Sequence, residues 1–224
     1  MISNHGPKTY YNEIDPYAAE WLRNLIRDGH IAPGDVDTRS IEDVRPDDLR
    51  PYTQCHFFAG VGLWSLALRR AGWADDRPIW TGSCPCQPFS SAGKGDGFGD
   101  ERHLWPAFHH LITQCGPALV CGEQVASKDG YAWLDLVQTD MEGMGYAFWP
   151  VVLPVAGVGG PHERHRTWWV ALGESNGSGG ALRRDDRTIS SPSGPHERTA
   201  PGSWRDGDAA TQDRDRGSEQ PASE

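Results

Sequence analysis

Residues 55–62 read Cys55-His56-Phe57-Phe58-Ala59-Gly60-Val61-Gly62. Cys55 to Phe58 is an apolar run of strand length, and Ala59-Gly60-Val61-Gly62 is a glycine turn. Beyond it Leu63, Trp64, Leu66, Ala67, Leu68 and Ala71 form the buried side of a helix that ends at Gly72. Strand, glycine turn and helix in that order are the repeating unit of an α/β fold. Glycines at such a turn let the backbone bend tightly and approach a ligand closely. A turn that serves only helix–strand packing reads much the same.

The same alternation continues on both sides. Upstream, Thr9 to Ile14 reads as a strand. Asp15-Pro16 follows as an N-cap with proline in the first helical position, and Tyr17, Ala18, Trp21, Leu22, Leu25 and Ile26 repeat at helical spacing up to Gly29. Asp35 to Ser40 is a second short strand, with a weak helical stretch from Ile41 to Leu49. Downstream, Pro78 to Gly82, Ala118 to Cys121, Ala147 to Leu153 and Thr167 to Ala171 read as strands. Leu104 to Cys115 and Tyr131 to Met144 read as helices. Residues 93–99 hold four glycines in seven positions and read as a mobile loop. The expected fold is α/β, a doubly wound and mostly parallel sheet. In such sheets ligands sit beyond the carboxyl ends of the strands.

The 224 residues carry a formal charge of -10. That argues against holding nucleic acid by bulk charge, but it allows basic groups confined to one cleft. From Glu174 to Glu224 the only large hydrophobes are Leu182, Ile189 and Trp204. Such a stretch cannot bury enough apolar surface to offset the entropy of ordering. The expected organisation is a working domain over 1–173 and a polar, loop-rich or disordered tail over 174–224. No run of 18 apolar residues and no signal peptide is present, and the five cysteines are odd in number. Reduced thiols, a cytoplasmic location and no membrane contact are expected. Cys84-Pro85-Cys86 has one residue between the thiols and no matching second pair, so no metal site is expected.

The most specific stretch is Ser83-Cys84-Pro85-Cys86-Gln87-Pro88-Phe89-Ser90. It is poor material for a buried core, and it resembles the Pro-Cys-Gln loop of the DNA cytosine-5 methyltransferases. Three further segments resemble that family. Phe58-Ala59-Gly60-Val61-Gly62 matches its glycine signature. Glu123-Gln124-Val125 is similar to its Glu-Asn-Val motif, with Gln124 in place of Asn. His162-Glu163-Arg164-His165-Arg166 looks like its Gln-x-Arg-x-Arg motif, with His162 in place of Gln. The family's acidic second motif has a counterpart at Glu13-Ile14, and its third at Gly34-Asp35-Val36 followed by Ser40-Ile41. Both lie before the glycine turn instead of after it. A circularly permuted version of the S-adenosylmethionine-dependent, Rossmann-like fold is therefore expected, which compact domains with adjacent termini tolerate.

The resemblance implies a role for each position. Cys86 would add to the cytosine ring, Glu123 would protonate it, and Arg164 and Arg166 would hold the base. S-adenosylmethionine would contact Phe58, Ala59, Gly60, Gly62, Glu13, Ile14, Asp35, Val36 and Pro85, while Gln87, Ser90 and Arg102 would touch double-stranded DNA. The family's target-recognition region has no clear counterpart in 174–224, so a second chain supplying it is one expectation. A defective or regulatory half that binds donor or DNA, and the same chemistry on RNA or free pyrimidine nucleotides, are the alternatives.

Overall fold

The computed structural model describes residues 8–85 and 104–173. The chain divides into two units, Met1–Ala181 and Leu182–Glu224, and every described residue lies in the first. Seven strands form one sheet: β1 (Thr9–Asn12), β2 (Gly34–Asp37), β3 (Gln54–Phe57), β4 (Ile79–Gly82), β5 (Leu119–Val125), β6 (Tyr146–Pro154) and β7 (His165–Gly173). The helices are α1 (Pro16–Arg27), α2 (Pro46–Leu49), α3 (Leu63–Arg70), α4 (Trp105–Cys115) and α5 (Lys128–Gly143).

The strand order across the sheet is β2-β1-β3-β4-β5-β7-β6. Strands β2 through β5 pair in parallel, and β7 runs antiparallel to both neighbours. A doubly wound chain ordinarily starts at the centre, winds out to one edge, and then crosses to the other half. This chain starts at β1, beside one edge of the sheet, reaches that edge at β2, and only then turns inward to β3 and β4. The sheet is thus the doubly wound, Rossmann-like order with its starting point moved, as the motif order implied.

Each face of the sheet has its own core. Tyr10, Phe57, Trp80, Val120 and Trp169 point to the side covered by α4 and α5, where Phe108, Ile112, Trp133 and Met141 are fully or almost fully buried. Tyr11 points to the other side and packs with Leu22, Ile31 and Ala59 beneath α1 and α3. Two close approaches fix this packing. A Cβ on Gly82 would lie 2.4 Å from the Phe108 ring, and one on Gly122 would lie 2.2 Å from the Trp169 ring, so neither position admits a side chain. On the α1/α3 side the β5–β7–β6 half is less covered: the Trp64 ring of α3 reaches Trp168 of β7, while Trp149, Val151, Val170 and Leu172 are exposed.

Some element bounds differ from the sequence expectation, each for a local reason. The stretch 41–49 is not one helix but a 3-10 turn at Ile41–Asp43 followed by the single turn of α2. Pro46 forces Arg45 into extended backbone (φ -101°, ψ 149°), which interrupts any continuous helix. Helix α5 starts at Lys128, three residues earlier than the apolar periodicity suggests, because the Ser127 side chain accepts from the Gly130 amide. Strand β5 extends to Val125 because β7 pairs along its whole length, a partner invisible in the local pattern. No helix among the described residues is long and apolar enough to cross a membrane.

Candidate functional site

The carboxyl ends of β1, β3 and β4 surround a cavity of about 280 Å³, lined by Asn12, Glu13, Ile14, Arg39, Ser40, Ile41, Phe58, Ser83, Pro85 and Leu104. Backbone and side-chain bonds stitch its rim together. The Ala59 amide donates to the Asn12 carbonyl at 3.0 Å, and the Glu13 amide donates to the Asp37 carbonyl at 3.0 Å. Asn12 is buried, and its side-chain Nδ2 donates to the Arg39 carbonyl at 2.9 Å, which anchors the loop after β2.

Glu13 is held by two backbone amides. Oε2 accepts from Gly60 N at 2.7 Å and Oε1 from Asp15 N at 2.9 Å. A carboxylate has about four acceptor sites, so two remain for a ligand's hydroxyl groups. The glycine turn brings Phe58 to the cavity wall with φ at 53°, a left-handed conformation that is costly for an aromatic residue. Ala59, Gly60 and Gly62 do not line the cavity. They build the turn beneath it: Gly60 grips Glu13, and Gly62 (φ 77°) caps α3 and donates to the Ala59 carbonyl.

Asp35 and Val36, expected to contact the donor, do not line this cavity. They lie in the strand before its carboxyl end, and both line a separate depression at the β2 edge with Tyr52 and Asp48. Asp35 accepts from Tyr52 Oη at 2.8 Å and pairs with Lys8 at 3.7 Å. The loop beyond β2 reaches the cavity instead, through Arg39, Ser40 and Ile41. Arg39 is fixed by Asp37 at 2.6 Å and by Asp48 at 2.9 Å. Burial alone would raise the Asp37 pKa, but hydrogen bonds from Arg39 and Tyr10 outweigh it and hold the carboxyl below its ordinary range. Asn12, Arg39, Ser83 and Leu104 also line the cavity, although the motifs assign them no role.

The second part of the site lies on β5 and β7. Arg166 Nε pairs with Glu123 Oε1 at 2.5 Å, and both side chains are about four-fifths buried. In register Trp168 stands opposite Glu123 and Arg166 opposite Val125, so the ion pair is a diagonal contact on one face. Burial pushes the Glu123 carboxyl up, and the charge of Arg164 pulls it back. The Arg166 contact also favours the carboxylate, so the shift is smaller than burial alone would give. Arg164 lies one residue outside β7 and is exposed. The strand therefore delivers one arginine directly to Glu123 and leaves the other exposed.

Strand β4 leads toward Cys86, which lies outside the described residues, as do Gln87, Ser90, Arg102, the glycine run 93–99 and the tail beyond 173. Its neighbour Cys84 is described and is buried, with its thiol pushed far above the ordinary range by desolvation. A thiol that rarely ionises is a poor nucleophile. The Cys84 carbonyl accepts from Gln124 Nε2 at 3.4 Å, which links the exit of β4 to β5. His56 is fully buried beside Thr81 (2.7 Å), and burial pulls its pKa down to about 3, so it is a neutral core residue away from the cavity. No group of three or more metal-ligating side chains occurs among the described residues.

The chain is similar to known methyltransferases. Residues 74–200 match the family model described as C-5 cytosine-specific DNA methylase. The chain is 32% identical to the Type II methyltransferase M.HhaI of Haemophilus parahaemolyticus, over 43% of this chain and 31% of that protein. It is 28% identical to the Type II methyltransferase M.PspPI of Psychrobacter sp. (strain TA137), over 47% of this chain and 35% of that protein. The chain thus spans about a third of the length of the curated relatives it matches. Among solved structures, a putative DNA modification methyltransferase encoded within an E. coli prophage aligns with a TM-score of 0.47 at 17% identity, covering 75% of this chain and 40% of that one. A DNMT2 variant from Spodoptera frugiperda also gives 0.47 at 17% identity, covering 79% and 45%. The family match takes in more than half of the sequence, including Cys86, Glu123, Arg164 and Arg166: the chain belongs to the C-5 cytosine-specific DNA methylase family.

Proposed function

We propose that the chain transfers a methyl group from S-adenosylmethionine to carbon 5 of cytosine in DNA, through a covalent adduct at Cys86. The observation that carries this reading is the Glu123–Arg166 pair, set on the same sheet as the cavity and one strand from the β4 exit that leads to Cys86.

The cavity suits a nucleoside-bearing donor. Glu13 offers acceptor sites for ribose hydroxyls, and Ile14, Phe58, Ile41 and Leu104 offer apolar walls for a flat base. Ser40, Arg39 and Pro85 complete the lining, in the role the sequence assigned to Asp35 and Val36. S-adenosylmethionine supplies an electrophilic methyl group at its sulfonium.

Cytosine carbon 5 is a weak nucleophile, so the protein has to activate it covalently. The Cys86 thiolate adds to carbon 6 and forms a carbon–sulfur bond. Glu123, in its protonated form, donates to ring nitrogen 3 and neutralises the charge that the addition places there. Carbon 5 then takes the methyl group, loses its proton to a base, and the Cys86 sulfur departs. Arg166 holds the Glu123 carboxyl in place, and Arg164 stands where it can meet the base or its phosphate. A stacked cytosine cannot reach these groups, so the base has to leave the helix. Gln87, Ser90 and Arg102 are the proposed DNA contacts. Residues 174–224, or a second chain, would supply target recognition.

Trapping with 5-fluorocytosine tests the reading, because fluorine at carbon 5 blocks the final elimination. With S-adenosylmethionine present, wild type is expected to form a denaturation-resistant adduct with a duplex carrying the analogue. Cys86→Ser is expected to form none, and Cys84→Ala to retain most of it. An adduct with RNA or with the free nucleotide, but not with duplex DNA, would replace the substrate. No adduct with any of them would overturn the reading.

A further inference from the structure

Trp64 is half-buried at the start of α3, and two separate parts of the molecule meet on its ring. Its indole Nε1 donates to Ser83 Oγ at 3.1 Å. Its ring meets Trp168 edge-on, with centroids 5.3 Å apart and planes at 77°. Its helix begins directly after Gly62, at the end of the turn whose Gly60 amide holds Glu13.

Each of these contacts leads to a different functional group. Ser83 lines the cavity and stands three residues before Cys86. Trp168 stands opposite Glu123 in register and two residues from Arg166, on the same face of β7. An indole removed from water needs an acceptor for its N–H whatever else it does. Here the acceptor is a side chain of the cavity wall. Gln124 holds the adjoining Cys84 carbonyl from β5, so Ser83 and Cys84 are gripped by different elements.

We infer that Trp64 is a positioning residue: through its hydrogen bond to Ser83 it sets the approach of the cysteine stretch to the donor cavity, and through Trp168 it ties that approach to the Glu123–Arg166 pair. The catalytic meaning of this tie rests on the methyltransferase reading above, while the tie itself does not. Trp64 is not among the residues that line the cavity. It acts through Ser83 and Trp168.

The decisive comparison uses the full chain as wild type, Trp64→Phe, Ser83→Ala and the double variant. Phenylalanine keeps an aromatic ring against Trp168 but loses the N–H together with the five-membered ring, so Ser83→Ala, which removes the acceptor and leaves the indole whole, is its control. Two readouts are followed, together with the melting temperature. The first is deuterium uptake by the peptide carrying Ser83, Cys84 and Cys86. Uptake is expected to quicken in both single variants and to quicken no further in the double, since both remove the same bond. Uptake equal to wild type in Trp64→Phe would overturn the inference.

The second readout is steady-state methyl transfer. Trp64→Phe is expected to lower kcat by about three- to tenfold, the loss that one hydrogen bond accounts for, with the donor KM unchanged. The double variant is expected to be no slower than the slower single. Losses that multiply would overturn the coupling, as would a raised KM at constant kcat. If wild type transfers no methyl group to any substrate, the proposed function fails, and the uptake comparison still decides the role of Trp64.

Discussion

The two halves of the sheet are built by different rules. Strands β1, β3 and β4 are four residues long, parallel, and buried at every position. Strands β7 and β6 are nine residues long and antiparallel, and β7 alternates buried and exposed positions along most of its length. A parallel strand is joined to its neighbour by a crossover helix, so helices cover both faces and the sequence reads as a continuous apolar run. An antiparallel strand can leave one face open and then alternates. The chemistry divides along the same line. The parallel half ends in the cavity bounded by Glu13, Phe58 and the loop after β2. The antiparallel half carries Glu123 and Arg166 on its less covered face. The family match begins at residue 74, so it takes in the antiparallel half whole and, of the parallel half, only β4.

If the antiparallel half does the base chemistry, Glu123→Gln should cut methyl transfer by about 10²- to 10⁴-fold, the usual contribution of a positioned acid. Donor affinity, measured by calorimetry, should not change. The pH profile sharpens the point. Protonated Glu123 is the donor, so the wild-type rate falls as pH rises through its pKa. Because burial raises that pKa, the fall should come at higher pH than for an exposed glutamate. Glu123→Gln should lack that limb, and a variant that keeps it would assign the limb to another group.

The packing contrast within β7 is tested by two adjacent residues. Trp169 is fully buried, stacks on Phe148 at 5.5 Å and closes over Gly122. Trp169→Ala should cost about 3–5 kcal/mol in urea unfolding, as cavities left by large aromatic side chains do. Val170 is one residue along, on the opposite face, and is exposed.

The parallel half is probed through Glu13. Glu13→Gln keeps the shape and loses the charge and one acceptor. It should weaken S-adenosylmethionine binding by about tenfold, the worth of one good hydrogen bond, and leave trapping of the fluorinated base at saturating donor nearly intact. Equal losses in both would dissolve the division between the halves. The smallest effect is expected for Val170→Thr, within about 0.5 kcal/mol of wild type, as for surface positions generally. A loss near that of Trp169→Ala would show that the face is covered in the folded protein.

The two halves were unequally legible. In β7 the alternation Thr167, Trp169, Ala171 against Trp168, Val170, Leu172 is written in the residue types, and Arg166 falls on the face it implies. The reversed direction of β7 is not, because alternation says nothing about which neighbour a strand pairs with or in which sense. The parallel half was legible through its punctuation: Asp15-Pro16 before α1, and the glycine turn before α3. The wall that Arg39, Ser40 and Ile41 give the cavity was not. It depends on where β2 stops, and that is set by pairing with β1 and by the Asn12 side chain holding the Arg39 carbonyl. Asp35 stays off the cavity lining for this reason, since the residue lies two positions before the strand end.

The sequence by itself determined the α/β class, the moved starting point of the sheet, and the residue types that carry the chemistry. These follow from local periodicity, turn residues and motif order, all of which are properties of neighbouring positions. Only the tertiary structure decided which candidates meet. It paired Glu123 with Arg166, left Arg164 exposed, buried Cys84 and placed Trp64 on Ser83. Those contacts join residues 19 to 43 positions apart in the chain, and their distances are fixed by strand order and packing, which no local pattern encodes.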